Sequence, residues 1–146
     1  TNRSNLYGAD LFVKYNPLKY SSSYQQVWLQ SEFMYRQAET PEPEGNFSDW
    51  GAYAQAIYRF AKRWNTGARF DFVNTNNNSF VPPQGGEGLF PARKELNYTA
   101  MLTFNPSEFS RIRLQYEFDD PSFRSRYSAV FLQFEYSIGA HGAHPF

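Results

Sequence analysis

The sequence predicts an all-β protein of antiparallel strands in up-and-down order, and three observations predict it. Apolar and polar residues alternate with a period of two through most of the chain. Aromatic residues make up 20% of it, yet its mean hydropathy stays polar at −0.66. Polar links, several bearing Pro or Gly, separate the alternating stretches. A chain rich in aromatics and still polar on average lays its apolar residues along one face instead of gathering them into runs. Its 146 residues suit one domain.

Seven stretches carry the pattern. The first sets Tyr7, Ala9, Leu11, Val13 and Tyr15 against Gly8, Asp10, Phe12 and Lys14. The second sets Val27, Leu29, Ser31, Phe33 and Tyr35 against Gln26, Trp28, Gln30, Glu32 and Arg36. The third begins at Trp50, with Ala52, Ala54, Ala56, Tyr58 and Phe60 opposing Tyr53, Gln55, Ile57 and Arg59. In the fourth, Ala68, Phe70 and Phe72 oppose Gly67, Arg69 and Asp71; in the fifth, Tyr98, Ala100, Leu102 and Phe104 oppose Asn97, Thr99, Met101 and Thr103. The sixth places Ile112, Leu114, Tyr116 and Phe118 opposite Arg111, Arg113, Gln115 and Glu117. The seventh places Val130, Leu132, Phe134, Tyr136 and Ile138 opposite Phe131, Gln133 and Glu135. No charge falls on the apolar face, and Ser31 is its one polar member.

Composition excludes several classes. Fourteen basic residues balance 14 acidic ones, so the basic footprint of a nucleic-acid binder is missing. No run approaches the roughly 18 apolar residues of a membrane-crossing helix. Without cysteine there is no disulfide, thiolate metal site or cysteine nucleophile. Both histidines lie in the last six residues, beyond the alternating stretches, so no Ser/His/Asp set can be assembled and no enzymatic activity is expected.

Alternation does not say which face is inside, and volume decides. The apolar face carries more Phe, Tyr and Trp than the side-chain-filled interior of a small closed barrel holds. Turned outward, it matches a transmembrane β-barrel, with a lipid-facing apolar band, aromatic girdles and a polar lumen. Tyr7, Tyr15, Trp50, Phe60, Tyr98 and Phe104 stand where girdles belong. The links agree: short ones at 16–23, 62–66 and 105–108 fall at one end, and longer ones at 37–49 and 74–95 at the other, with 119–126 joining them by parity, as periplasmic turns and external loops do. Seven strands with an external start imply the C-terminal part of a larger, even-stranded barrel. Residues 1–139 are then strands and loops of a bacterial outer-membrane barrel, and residues 140–146 a periplasmic tail.

The stretches Gly51-Ala52-Tyr53-Ala54-Gln55-Ala56-Ile57-Tyr58 and Gly67-Ala68-Arg69-Phe70-Asp71-Phe72 resemble the late strands of the phosphate-selective porin O and P type. So does the hairpin from Leu102-Thr103-Phe104-Asn105-Pro106 to Arg111-Ile112-Arg113-Leu114-Gln115-Tyr116. The ending Ile138-Gly139-Ala140-His141-Gly142-Ala143-His144-Pro145-Phe146 resembles instead the tail of zinc-regulated, TonB-dependent outer-membrane receptors. Either resemblance implies that the terminal Phe146 is an assembly signal read by the outer-membrane assembly machinery.

The polar face supplies the candidate site. Arg59, Arg69, Arg111 and Arg113, with Asp71 and Glu117, are candidates for lining a lumen and setting its selectivity; a basic ladder is what an anion-selective pore uses. Cross-strand pairing is the favoured reading for most of these charges; Arg111 and Arg113, two apart on one face, are the exceptions that could form a ladder with Arg69 or Arg59. His141 and His144 are candidate zinc ligands, but two fall short of the four that a closed site takes, so no cofactor is required. The expected function is passive uptake of small solutes, anions among the candidates, through an outer-membrane channel. Two alternatives stand: the barrel wall of a TonB-dependent receptor, and an adhesin or assembly barrel whose loops bind a partner. Lipid, solute, the assembly machinery and the rest of the barrel are the expected partners.

Overall fold

A computed structural model describes residues 3–17, 24–39, 46–75 and 93–138. They form seven strands: β1 (Arg3–Tyr15), β2 (Gln26–Glu39), β3 (Asn46–Ala61), β4 (Trp64–Thr75), β5 (Arg93–Ser107), β6 (Ser110–Pro121) and β7 (Tyr127–Tyr136). Each pairs antiparallel with the next, giving one sheet in sequence order. The described residues include no helix. The number, direction and order of the strands are those that the alternation predicts. The described strands make an open sheet and not a closed barrel: β1 and β7 each have one neighbour among the described residues.

Register carries the two-face pattern intact from strand to strand. On one face Gln30 stands opposite Gln55, Gln55 opposite Arg69, Arg69 opposite Thr99, and Thr99 opposite Glu117. On the other, Leu29 stands opposite Ala56, Ala56 opposite Ala68, Ala68 opposite Ala100, and Ala100 opposite Tyr116. A slip of one residue would exchange the faces of a whole strand. Rings support the apolar side, with Trp50 on Phe72 and Trp64 on Phe104, each at 4.6 Å between centroids.

Burial is inverted relative to a water-soluble sheet. The buried described residues are Met101, Thr103, Asp119 and Pro121, and their register places all four on the polar face of β5 and β6. Their apolar-face neighbours Leu102, Leu114 and Tyr116 are exposed, Leu114 at 49%. With no second layer over it among the described residues, the apolar face of this single sheet forgoes much of the roughly 1.5–3 kcal/mol that full burial of each large side chain yields.

The strands run further than the alternation indicates. β3 starts at Asn46 instead of Trp50, β5 at Arg93 instead of Asn97, and β7 covers Tyr127–Tyr136 instead of 130–138. The extensions are largely polar, with Asn46, Ser48 and Asp49 on β3 and Arg93, Lys94 and Glu95 on β5, so their backbone ladder continues where the contrast between faces has faded. Side chains tie them: the Thr75 hydroxyl accepts from the Arg93 amide at 3.0 Å, and Arg36 pairs with Asp49. The link expected at 62–66 shrinks to a turn at Lys62 and Arg63. At that end the Asn105 amide donates to the Arg63 carbonyl at 2.8 Å, joining neighbouring hairpins. Residues 40–45 and 76–92, within two of the long links, lie outside the described residues.

Candidate functional site

The polar face is the one chemically dense surface of the sheet, and strand phase alone puts its members there. A hollow of about 420 Å³ opens on it, lined by Gln55 of β3, Arg69 and Asp71 of β4, Asn97, Thr99 and Met101 of β5, and Arg113, Gln115 and Glu117 of β6. Gly67 makes room in its floor. A Cβ there would stand 2.9 Å from the Ala56 carbonyl oxygen and 2.8 Å from the Met101 methyl, so the absent side chain is what lets Met101 lie down against β4.

The six polar-face candidates do not act as one basic ladder. Arg69 donates from Nε to both oxygens of Asp71 at 2.9 Å, and its guanidinium lies 4.0 Å from the centre of the Tyr53 ring. Arg111 is paired with Glu135 across β6 and β7. Arg59 donates to the Lys62 carbonyl at 2.6 Å, in the turn. Arg113 donates from Nε to the Thr103 hydroxyl at 3.2 Å and forms no ion pair among the described residues. Glu117 accepts a hydrogen bond from Gln115 at 2.6 Å and also has no cationic partner among them. The hollow therefore brings together Arg69, Asp71, Arg113 and Glu117, while Arg59 and Arg111 stand outside it. His141, His144 and Phe146 lie outside the described residues, and with them the zinc and assembly-signal expectations.

A second charged cluster, at the end with the longer links, went unread in the sequence. Arg124 of the β6–β7 turn reaches Asp119 at 2.7 Å and Glu95 at 2.9 Å. Asp119 is only 2% exposed. Phe123 and Tyr127 face the same guanidinium at 5.5 and 5.0 Å. Desolvation opposes the charge of Arg124, but Tyr127, Asp119 and Glu95 outweigh it and raise its pKa. Arg126 is raised by its hydrogen bond to Asp120, at 2.7 Å. Both stay cationic through the physiological range. The available signal was phase: Glu95 and Asp119 continue the polar alternation of β5 and β6 beyond the point where the apolar partners stop.

The polar face also holds an apolar row. Trp28 stands opposite Ile57, Ile57 opposite Gly67, Gly67 opposite Met101, and Met101 opposite Gln115, which faces Phe131. It lies between the row of Arg69 and Glu117 and the row of Arg59 and Arg113.

No protein-family model matches the chain. No solved structure matches it either. An uncharacterized protein of Aquifex aeolicus (strain VF5) is 36% identical over 154 residues, an alignment covering 99% of this chain. The chain spans 31% of that relative's length. The likeness thus runs through all seven strands and their links, not through one motif.

Proposed function

We propose that these strands are an arc of the wall of a bacterial outer-membrane β-barrel, and that the completed barrel is a passive channel for small solutes. One observation carries the reading: on β5 and β6 the more exposed face is the apolar one, with Leu114 and Tyr116 open while Thr103 and Asp119 on the opposite face are buried. Patches of this extent mark a surface made for another apolar phase. A lipid bilayer is the phase that covers a sheet face of every strand at once, and it accepts aromatic clusters such as Trp50–Phe72 and Trp64–Phe104 near its interfaces. The strands have 10 to 16 residues, and all but β7 exceed the about 9–11 that cross a bilayer, leaving extensions for water.

In lipid every backbone polar group needs a partner, so the open edges of β1 and β7 require further strands. The greater length of the Aquifex relative is compatible with a chain that supplies them. The mechanism is diffusion through a polar lumen whose fixed charges set preference; no side chain on the polar face is asked to do covalent chemistry. The test is the conductance of the full-length protein in planar bilayers. Stepwise single-channel currents are expected. A correctly inserted but non-conducting protein overturns the channel and favours the plugged, energy-coupled receptor or a partner-binding barrel.

A further inference from the structure

We infer that the polar hollow binds a short zwitterionic solute of peptide type, with Arg113 receiving its carboxylate and Glu117 its ammonium group. This rests on the channel reading and deepens it. Four charged side chains line the hollow, and two of them, Arg69 and Asp71, cancel one another in a chelated pair. Arg113 spends only Nε on the protein, on Thr103. Among the described residues its terminal nitrogens meet no acceptor, which leaves the two-pronged end that suits a carboxylate. Glu117 spends one oxygen on Gln115 and keeps the other. What remains is one cation and one anion, neither held in an ion pair among the described residues, with no net charge between them.

Their spacing selects the solute. Arg113 and Glu117 are four positions apart on one face of β6, so their Cα atoms are about 13–14 Å apart at the rise of a strand. The hydrogen bond to Gln115 draws the Glu117 carboxylate toward Arg113. An extended dipeptide separates its charged ends by about 7 Å. A charge-assisted contact of about 2.8 Å at each end brings the full bridge to about 12–13 Å. An inorganic anion fills one end only. Between the rows of Arg113 and Glu117 stand Gln115, which suits a peptide group, and the buried Met101, which suits an apolar side chain; Thr99 borders the hollow in the row of Glu117. The volume lies in the range of small-molecule sites.

The test uses the full-length protein in planar bilayers, with glycylglycine as probe and N-acetylglycinamide and acetate as controls. Glycylglycine is expected to reduce the ion current at concentrations about tenfold below either control, the factor given by about 1.4 kcal/mol of charge-assisted bonding. Arg113→Gln and Glu117→Gln are each expected to abolish that advantage. The exchange Arg113→Glu with Glu117→Arg is expected to restore part of it. Folding of every variant is checked by its migration on unheated gels. Equal response to glycylglycine and N-acetylglycinamide overturns the inference, and so does equal response to acetate that depends on Arg113 alone. If no current flows at all, the channel reading fails by itself. Calorimetric titration of the detergent-folded protein with glycylglycine then decides the inference: heat of binding lost in both single variants supports it, and no heat overturns it.

Discussion

Arg69 and Asp71, two positions apart on β4, form an ion pair within a single strand face, and the ring of Tyr53 lies against the guanidinium at 4.0 Å. The pair removes from play one of the two arginines that line the hollow. Its two halves are consequently levers of opposite sign. In the full-length protein, Asp71→Asn is expected to shift the reversal potential toward anions, and Arg69→Gln toward cations. Shifts of the same sign, or none, would take this pair out of the pore lining.

The two arginines of β6 are predicted to differ although they share a face. Arg111 is paired with Glu135, whereas Arg113 hydrogen-bonds the Thr103 hydroxyl and forms no ion pair among the described residues. Fixed charge acts over a Debye length of about 8 Å at physiological salt, so an unpaired guanidinium weighs more on a passing ion than a paired one. Arg113→Ser is expected to lower the anion-to-cation permeability ratio more than Arg111→Ser does. The bilayer reversal potential of the two single variants checks this.

Gly67 is predicted to be intolerant of even a methyl group. The conflict with the Ala56 carbonyl is with backbone, which yields only by moving β3 from β4. Gly67→Ala is expected to cost about 1–3 kcal/mol, the range for overpacking a tight site. Gly8, whose added Cβ would meet only ordinary contacts at 3.6 Å and beyond, is the control and is expected to accept alanine. Urea unfolding of both variants in lipid vesicles makes the comparison.

At the end where β4 and β5 are linked through 76–92, Arg124 is the cationic partner of the nearly inaccessible Asp119 among the described residues. Arg124→Gln is expected to destabilise the β6–β7 turn by leaving that carboxylate without its ion pair, and Asp119→Asn to relieve the defect. The double variant should therefore be more stable than the sum of the single effects predicts. Strict additivity in a double-mutant cycle would mean that the pair contributes no coupling.

Much of this arrangement was legible from the residues alone, for a reason that also marks its limit. Alternation is strong wherever one face must be apolar, so Tyr58 and Arg59, or Leu114 and Arg113, sort to opposite faces at once. Beyond the apolar band the selection on that face lapses. Arg93, Asn46 and Asp49 then read as loop although they continue the ladder. The pairing of Arg69 with Asp71 was open to reading because both sit on one strand at the shortest same-face spacing. The pairing of Arg124 with Asp119 and Glu95 depends on a turn folding back over two strands, and a period of two says nothing about that. The apolar row of Trp28, Ile57, Met101 and Phe131 was visible residue by residue, but only the register aligns it.

The central claim is that the apolar face meets lipid and the polar face does not, and Leu114 and Gln115, adjacent in β6, put it to the most direct test. Folding free energy in lipid vesicles should be measured for Leu114→Arg and for Gln115→Arg in the full-length protein. Arginine at the mid-strand apolar position is expected to cost about 2–4 kcal/mol, while the change one residue later is tolerated. Equal costs, or a larger cost at Gln115, would contradict the assignment of the two faces and with it the barrel.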